Sequence, residues 1–422
     1  MRKKLIIVAA IGTTALALGG CSASGGDDPD TIELWTSWTE GEGTAVALEP
    51  LIDAWAEENG YTVNQSNFTY DQIHEKLIAS AAGGNLPDVV WGLPEYVGEF
   101  QKIGILADVS EAWETWEDAD LVSDSVKAAM TTGGAVVGFP YETTVRAYLV
   151  HDDLLAESGV SVPETWDDVL AVGSAIEEAT GSSFYGLTGA GVRQPQELFV
   201  YLAQKGLSIA EEQPDGGYRN TWNDDPAELA EATEVFQFYA DLMDSGAVNP
   251  NSATYGWEET DDNFATGLTA TFVTGNWLGE REASNPDSMS DVSVHAIPRP
   301  ADGQPATYLE SKPMFVMANS DSLEASTELA EQFASEEWQS AAFADRSALS
   351  SVTTDSKWSE DFAELLDTGV AYPPVSLGVI TQDMQDALAM VLQDGADPEE
   401  AAAWLSDAVN EALEASGDAA VS

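Results

Sequence analysis

At 422 residues the chain is longer than one hydrophobic core usually serves, so two domains are expected. It carries 74 Asp and Glu against 15 Lys and Arg, a formal net charge of −59, which repels nucleic acid and anionic lipid headgroups and means that an anionic solute would need specific cations to hold it. A hydrophobic content of 44% with 13 Trp excludes a simply disordered acidic chain.

The first residues, Met1-Arg2-Lys3-Lys4, are positive, and Leu5 to Leu18 is apolar apart from Gly12, Thr13 and Thr14, which is the layout of a secretory signal over 1–20. The apolar run is shorter than the roughly 20 residues a spanning helix needs. It ends in Gly19 and Gly20 directly before Cys21, the only cysteine, which therefore has no internal disulfide partner. Leu18-Gly19-Gly20-Cys21 resembles the bacterial lipobox, which implies a mature chain that begins at a lipidated Cys21. Residues 21–30 are small and polar, as a flexible tether would be, and the folded part is expected to begin near Thr31.

Thr31 to Trp35 reads as a buried strand, and Val46 to Ala56 as a helix with apolar Val46, Leu48, Leu51, Ile52 and Trp55. Tyr61 to Asn67 is a second strand, Gln72 to Ala82 a helix and Leu86 to Trp91 a third strand. Strands alternating with helices predict a parallel, doubly wound α/β sheet, and such sheets bind ligands beyond the carboxyl ends of their strands. Trp38 and Glu40 follow the first strand while Trp91 and Glu95 close the third, so all four are expected on one rim. For the tryptophans core packing is the competing reading, and for the glutamates ordinary solvation.

Further along, separate stretches carry a resemblance. Leu86-Pro87-Asp88-Val89-Val90-Trp91 is followed by Ile103 to Asp108; Gly138-Phe139-Pro140-Tyr141 is followed by Tyr148 to Leu155, Gly159 and Pro163-Glu164-Thr165-Trp166-Asp167-Asp168. Asn263-Phe264-Ala265-Thr266-Gly267 precedes Thr274-Gly275-Asn276-Trp277, with Thr271 where a Met is usual, and Glu324 to Phe333 leads to Trp338-Gln339. In order and spacing these stretches resemble the family 1 extracellular solute-binding proteins, the maltose-binding-like group, from Thr31 to the C-terminal helix. The resemblance implies a periplasmic-binding-protein-like fold of two α/β lobes around a ligand cleft, with chain crossings near Tyr141 to Arg146, Tyr308 to Lys312 and Arg346 to Thr353. Lobe 1 would then be 31–142 plus 311–350 and lobe 2 143–310 plus 351–422. It further implies an ABC importer's solute-binding component, held outside the cell membrane by lipid, monomeric and without a cofactor. Such a protein captures a mono- or oligosaccharide by hinge closure and delivers it to permease subunits.

Aromatic rings suit the apolar C–H face of a sugar, and carboxylates and guanidinium groups suit its hydroxyls. Trp277 is the main expected platform, with Trp38, Trp91, Tyr141, Tyr255 and Trp257 beside it. Glu40, Glu95 and Glu142, with Asp71 a weaker candidate, are the expected hydroxyl acceptors. Cations are scarce, so Arg146, Lys312 and Arg346 near the crossings are candidate donors to ligand or partners of carboxylates. Catalysis finds no pattern. His74, His151 and His295 lack metal spacing and a thiol partner, Gly189-Ala190-Gly191 lacks the context of a phosphate loop, and carboxylates are too abundant for a glycosidase pair to carry information. A secreted carbohydrate-active enzyme or glycan-adhesion module is the alternative reading.

Overall fold

In the computed structural model, residues 30–38, 43–191, 193–214 and 216–420 are described, apart from the side chains of Tyr70 and Asp71. The signal, Cys21, nearly all of the tether and Glu40 lie outside these residues. The alternation expected from the sequence is present at the N-terminal end of the folded part: strand Thr31–Thr36, helix Gly43–Asn59, strand Thr62–Asn67, helix Tyr70–Gly83 and strand Val89–Trp91. The three strands pair in parallel with Thr31–Thr36 in the middle. Ile32, Leu34, Val89 and Val90 are fully buried, and burying a side chain of this kind contributes about 1.5–3 kcal/mol. Asp88 fixes the approach to the third strand, because its carboxylate accepts the Glu33 N–H at 2.8 Å and the Ser320 hydroxyl at 2.5 Å.

The first sheet has five strands in the order Thr62–Asn67, Thr31–Thr36, Val89–Trp91, Glu310–Val316 and Gly138–Thr144, with Glu310–Val316 antiparallel to both of its neighbours. A second sheet of four strands runs Val292–His295, Ala147–His151, Thr269–Thr274 and Ser183–Gly186. Helices Arg193–Gln204, Pro226–Ser245, Leu377–Leu392 and Pro398–Ser416 pack together in the second lobe. Its stretch Thr165-Trp166 opens a helix with a capping box between Thr165 and Asp168, and the Trp166 ring stacks on Phe238 at 4.5 Å while its indole N–H bonds the Pro298 carbonyl. Among the described residues no helix is long and apolar enough to cross a membrane.

Between Thr144 of the first sheet and Ala147 of the second, only Val145 and Arg146 carry the chain across. The return passes through the short strand Thr307–Tyr308, whose Thr307 hydroxyl accepts the Arg146 N–H at 3.0 Å and donates to the Arg146 carbonyl at 2.6 Å. Farther along, Arg346 accepts the Thr143 N–H from the first sheet and Trp358 donates its indole N–H to Val292 of the second, so the chain passes between lobes again within 346–358.

The lobes also touch away from these crossings. Exposed Lys102, at the end of helix Val97–Lys102, donates to the Ser416 carbonyl and pairs with Asp418 at 2.9 Å, so that it meets the carbonyl end of helix Pro398–Ser416, where a cation is favoured. Gly98 of the same short helix faces the backbone of Pro374 and Val375 so closely that a Cβ would lie 2.5 Å from the Pro374 carbonyl carbon. Rigid backbone stands on the far side, so Gly98→Ala should part the lobes at this edge rather than be absorbed by a rotamer change. Small-angle scattering should give a larger radius of gyration for that variant, and an unchanged radius would show that the contact yields locally.

Candidate functional site

The stretch Gly275-Asn276-Trp277 leaves the second sheet at the end of strand Thr269–Thr274. A Cβ on Gly275 would sit 1.8 Å from the Trp277 ring, so only glycine lets the indole fold back over the backbone here. Asn276 donates to the Asp345 carbonyl and accepts from the Thr144 hydroxyl at 3.2 Å, which ties this turn to the crossing.

Trp277 is half-buried, with the Arg146 guanidinium 4.6 Å and the Arg193 guanidinium 4.5 Å from its ring. Arg193 also lies 4.6 Å from the Trp257 ring, and Arg146 lies 5.2 Å from the Tyr308 ring. Rings and guanidinium groups therefore alternate through Trp257, Arg193, Trp277, Arg146 and Tyr308. Such contacts are worth up to about 2 kcal/mol each when desolvated, and a planar guanidinium suits them better than an ammonium.

Carboxylates and an amide flank the column. Asp261 pairs with Arg193 at 2.9 Å and accepts the Trp277 indole N–H at 3.4 Å. Glu310 pairs with Arg146 at 3.1 Å, and Gln196 accepts from the same guanidinium at 2.8 Å. From the first lobe comes Glu95, in the turn Pro94–Tyr96 after the third strand, whose Oε1 accepts the Tyr308 hydroxyl at 2.9 Å.

Burial, reinforced by Glu310, pushes the Glu95 carboxyl above its usual range. Burial also raises Asp261 in spite of Arg193. Glu310 would be raised by burial too, but Arg146 and Lys312 outweigh it and hold the carboxyl low.

A second ion cluster sits beside this one. Glu142 accepts from Lys312 and, at 2.8 Å, from Arg346, which also reaches Asp345 at 3.3 Å. Burial would raise Glu142, yet the two cations bring it below the ordinary carboxylate range. Glu142 and Lys312 thus pair with each other across adjacent strands, which is the carboxylate-partner role considered for the cations near the crossings.

Of the expected aromatics, Trp257 and Trp277 join the column. Trp38 is 5% exposed, Trp91 1% and Tyr141 3%, so all three lie in the packing of the first lobe rather than presenting an open ring face. The Trp38 indole N–H bonds the Tyr141 hydroxyl, and both rings pack on Phe333, because helices Leu323–Phe333 and Glu336–Ala342 cover this end of the sheet. Tyr255 is half-buried in a loop and offers its carbonyl to Ala190 N–H. Arg193 and Gln196 stand on the first turns of helix Arg193–Gln204. Asp261, Tyr308, Glu310 and Tyr372 were not singled out as site residues. Scarcity of cations was the signal that could have found their carboxylate partners, since each buried Arg needs one.

The family model for bacterial extracellular solute-binding protein matches residues 39–340. Among solved structures, the GacH receptor of Streptomyces glaucescens GLA.O, determined unliganded and with acarbose and an acarbose homolog, has a TM-score of 0.76 at 22% identity, covering 91% of this chain and 98% of that one. The cyclic alpha-maltosyl-1,6-maltose binding protein from Arthrobacter globiformis has a TM-score of 0.74 at 25% identity, covering 92% and 100%. An uncharacterized lipoprotein in the oleD 5′ region of Streptomyces antibioticus is 27% identical over 188 residues, 43% of this chain and 41% of that one.

Next to Arg193 and Gln196 on a small cavity lies Glu197, whose hydrogen-bond partner is the Tyr239 hydroxyl at 3.3 Å. Loss of solvation pushes its carboxyl from an ordinary 4.5 up to about 8. The folded chain therefore keeps this proton to higher pH than the unfolded chain, and the group lowers stability progressively as pH rises from about 4.5 towards about 8. Glu197→Gln should flatten the fall in melting temperature across that window while leaving the value at low pH nearly unchanged. Parallel pH profiles for the two proteins would refute the assignment.

Proposed function

The chain belongs to the bacterial extracellular solute-binding protein family, and from that premise we propose that it captures a carbohydrate between its lobes and delivers it to the permease of an ABC importer. The observation that carries this reading is the column of Trp257, Arg193, Trp277, Arg146 and Tyr308 at the junction of the lobes. Indole rings suit the apolar C–H surface of a pyranose, and the guanidinium and carboxylate groups stacked on and around them supply directional hydrogen bonds for hydroxyls. The saccharides named for the Streptomyces and Arthrobacter proteins support the same ligand class.

We take residues 31–142 plus 311–350 and residues 143–310 plus 351–422 as the two lobes, joined by the crossings and turning about them. A ligand drives such a motion only by binding the closed arrangement more tightly than the open one. Contacts from both lobes to one solute provide that difference. A thermal-shift screen over mono- and oligosaccharides tests the ligand class, since a ligand that binds only the native state raises the melting temperature. The saccharides should be recovered unchanged; hydrolysis products would favour the enzymatic alternative.

Trp277→Ala should weaken saccharide binding more than tenfold, equivalent to about 1.4 kcal/mol. Plain core packing instead predicts a loss of roughly 3–5 kcal/mol of stability without ligand. Calorimetric titration and melting of the unliganded variant, done on one preparation, separate the two.

Lipidation at Cys21 completes the reading. The Streptomyces antibioticus relative is itself named a lipoprotein, and Leu18 to Cys21 resembles the lipobox. Cys21→Ser should be released from membranes as soluble protein with unchanged ligand affinity, and an unmodified Cys21 in the secreted wild type would count against the anchor.

A further inference from the structure

Among the described residues, three polar atoms at the junction of the lobes are buried without a hydrogen-bond partner: Glu95 Oε2, Arg146 Nη1 and the Tyr372 hydroxyl. They gather around Tyr308, whose hydroxyl bonds Glu95 Oε1 at 2.9 Å and whose ring lies 5.2 Å from the Arg146 guanidinium and 5.3 Å from the Tyr372 ring. Tyr372 is 9% exposed, and Phe199 of helix Arg193–Gln204 packs on its ring at 4.5 Å between centroids. Leaving one buried polar group unpaired costs about 1–3 kcal/mol, so three around a single side chain need a common explanation.

Their chemistry narrows what completes them. An ionised carboxylate only accepts, a guanidinium only donates and a phenol does either. A hydroxyl group donates in one direction and accepts in another, so adjacent hydroxyls can satisfy all three atoms together. An ionised acidic group cannot donate to Glu95, and each cation around the site already has a carboxylate that balances its charge: Arg146 has Glu310 at 3.1 Å, Arg193 has Asp261 at 2.9 Å, and Lys312 and Arg346 share Glu142.

We propose that the site takes an uncharged polyhydroxyl solute and rejects its acidic counterparts, with Glu95, Arg146 and Tyr372 hydrogen-bonding neighbouring hydroxyls of the ligand. This rests on the carbohydrate reading and adds to it the charge class and a ligand-contacting role for Tyr372. The burial and the Glu310 carboxylate that disfavour a negative charge on Glu95 would disfavour one on the ligand in the same way.

The test is calorimetric titration of the full chain with glucose, maltotriose, cellotriose and xylotriose, alongside glucuronate, trigalacturonate and glucose 6-phosphate. At least one neutral sugar should bind and no anionic one should match it. For that sugar, Tyr372→Phe should lose about fivefold or more in affinity, the scale of one hydrogen bond, while the unliganded variant melts at the same temperature or higher because a buried unpaired hydroxyl has gone. Glu95→Gln should narrow the gap between neutral and anionic sugars. An anionic sugar binding as tightly as its neutral counterpart, or full affinity in Tyr372→Phe, overturns this inference and leaves the carbohydrate reading standing. Failure of every saccharide, neutral or anionic, brings down the carbohydrate reading and this inference with it. A Tyr372→Phe variant that melts lower unliganded but binds normally marks the three atoms as the seat of a structural water instead.

Discussion

Arg146 joins the two lobes both through its backbone and through its side chain. Its N–H and carbonyl are both held by Thr307, which fixes the outgoing crossing against the returning one. Its guanidinium, on a side chain that is 7% exposed, reaches Gln196 and Glu310 and lies over Trp277 and Tyr308. Few other groups could serve here. A lysine would give a single point charge with no planar face, and a neutral residue would deprive buried Glu310 of its direct partner and leave only Lys312 and Arg193 to offset its charge, where breaking a buried pair typically costs about 3–5 kcal/mol.

The composition explains why this arrangement is selective. With 74 acidic residues against 15 Lys and Arg, an unplaced cation would find carboxylates anywhere on the surface. Arg146, Arg193, Lys312 and Arg346 are nevertheless concentrated at the junction, where each is largely withdrawn from solvent and paired. Pairing within the protein cancels the local field, so the −59 net charge acts on the surroundings while the site itself is close to balanced. Salt screens exposed charges much more than buried pairs, which separates the site's behaviour from that of the acidic surface.

Much of the fold was legible because it follows from local rules. The first three strands and two helices appear where apolar periodicity puts them, and Gly275-Asn276-Trp277, Asp88 and the Thr165–Asp168 box each have a structural reason for their place in the motifs. The site was legible only in part. Trp38 and Trp91 lie at strand ends, as the rule for ligand sites requires, but which way a ring faces there depends on the helices laid over it, and those come from residues 323–342. Likewise the column joins positions 146, 193, 257, 277 and 308, and no spacing within one element links them. What survives in the sequence is the residue type: an Arg conspicuous in an acidic chain, and a Trp beside the one residue that leaves it room.

Contacts between the lobes are of a kind that can be made and broken. They comprise Tyr308 with Glu95, Asn276 with Asp345, Lys102 with Ser416 and Asp418, and the bare backbone approach at Gly98. Polar contacts of this sort exchange readily with water, each worth only about 0.5–1.5 kcal/mol net, whereas a broad apolar seam would hold the lobes shut whatever the ligand. Apolar packing centres on Leu34, Val90 and Phe315 in one cluster, which runs on along the crossing through Val145 and Ala147 to Leu149 and Phe272, and on Phe236, Tyr239 and Leu388 in a second. On the proposed reading, reversible polar contacts of this kind would let a small solute shift the balance between open and closed, because each of its own hydrogen bonds is of the same order as one of them.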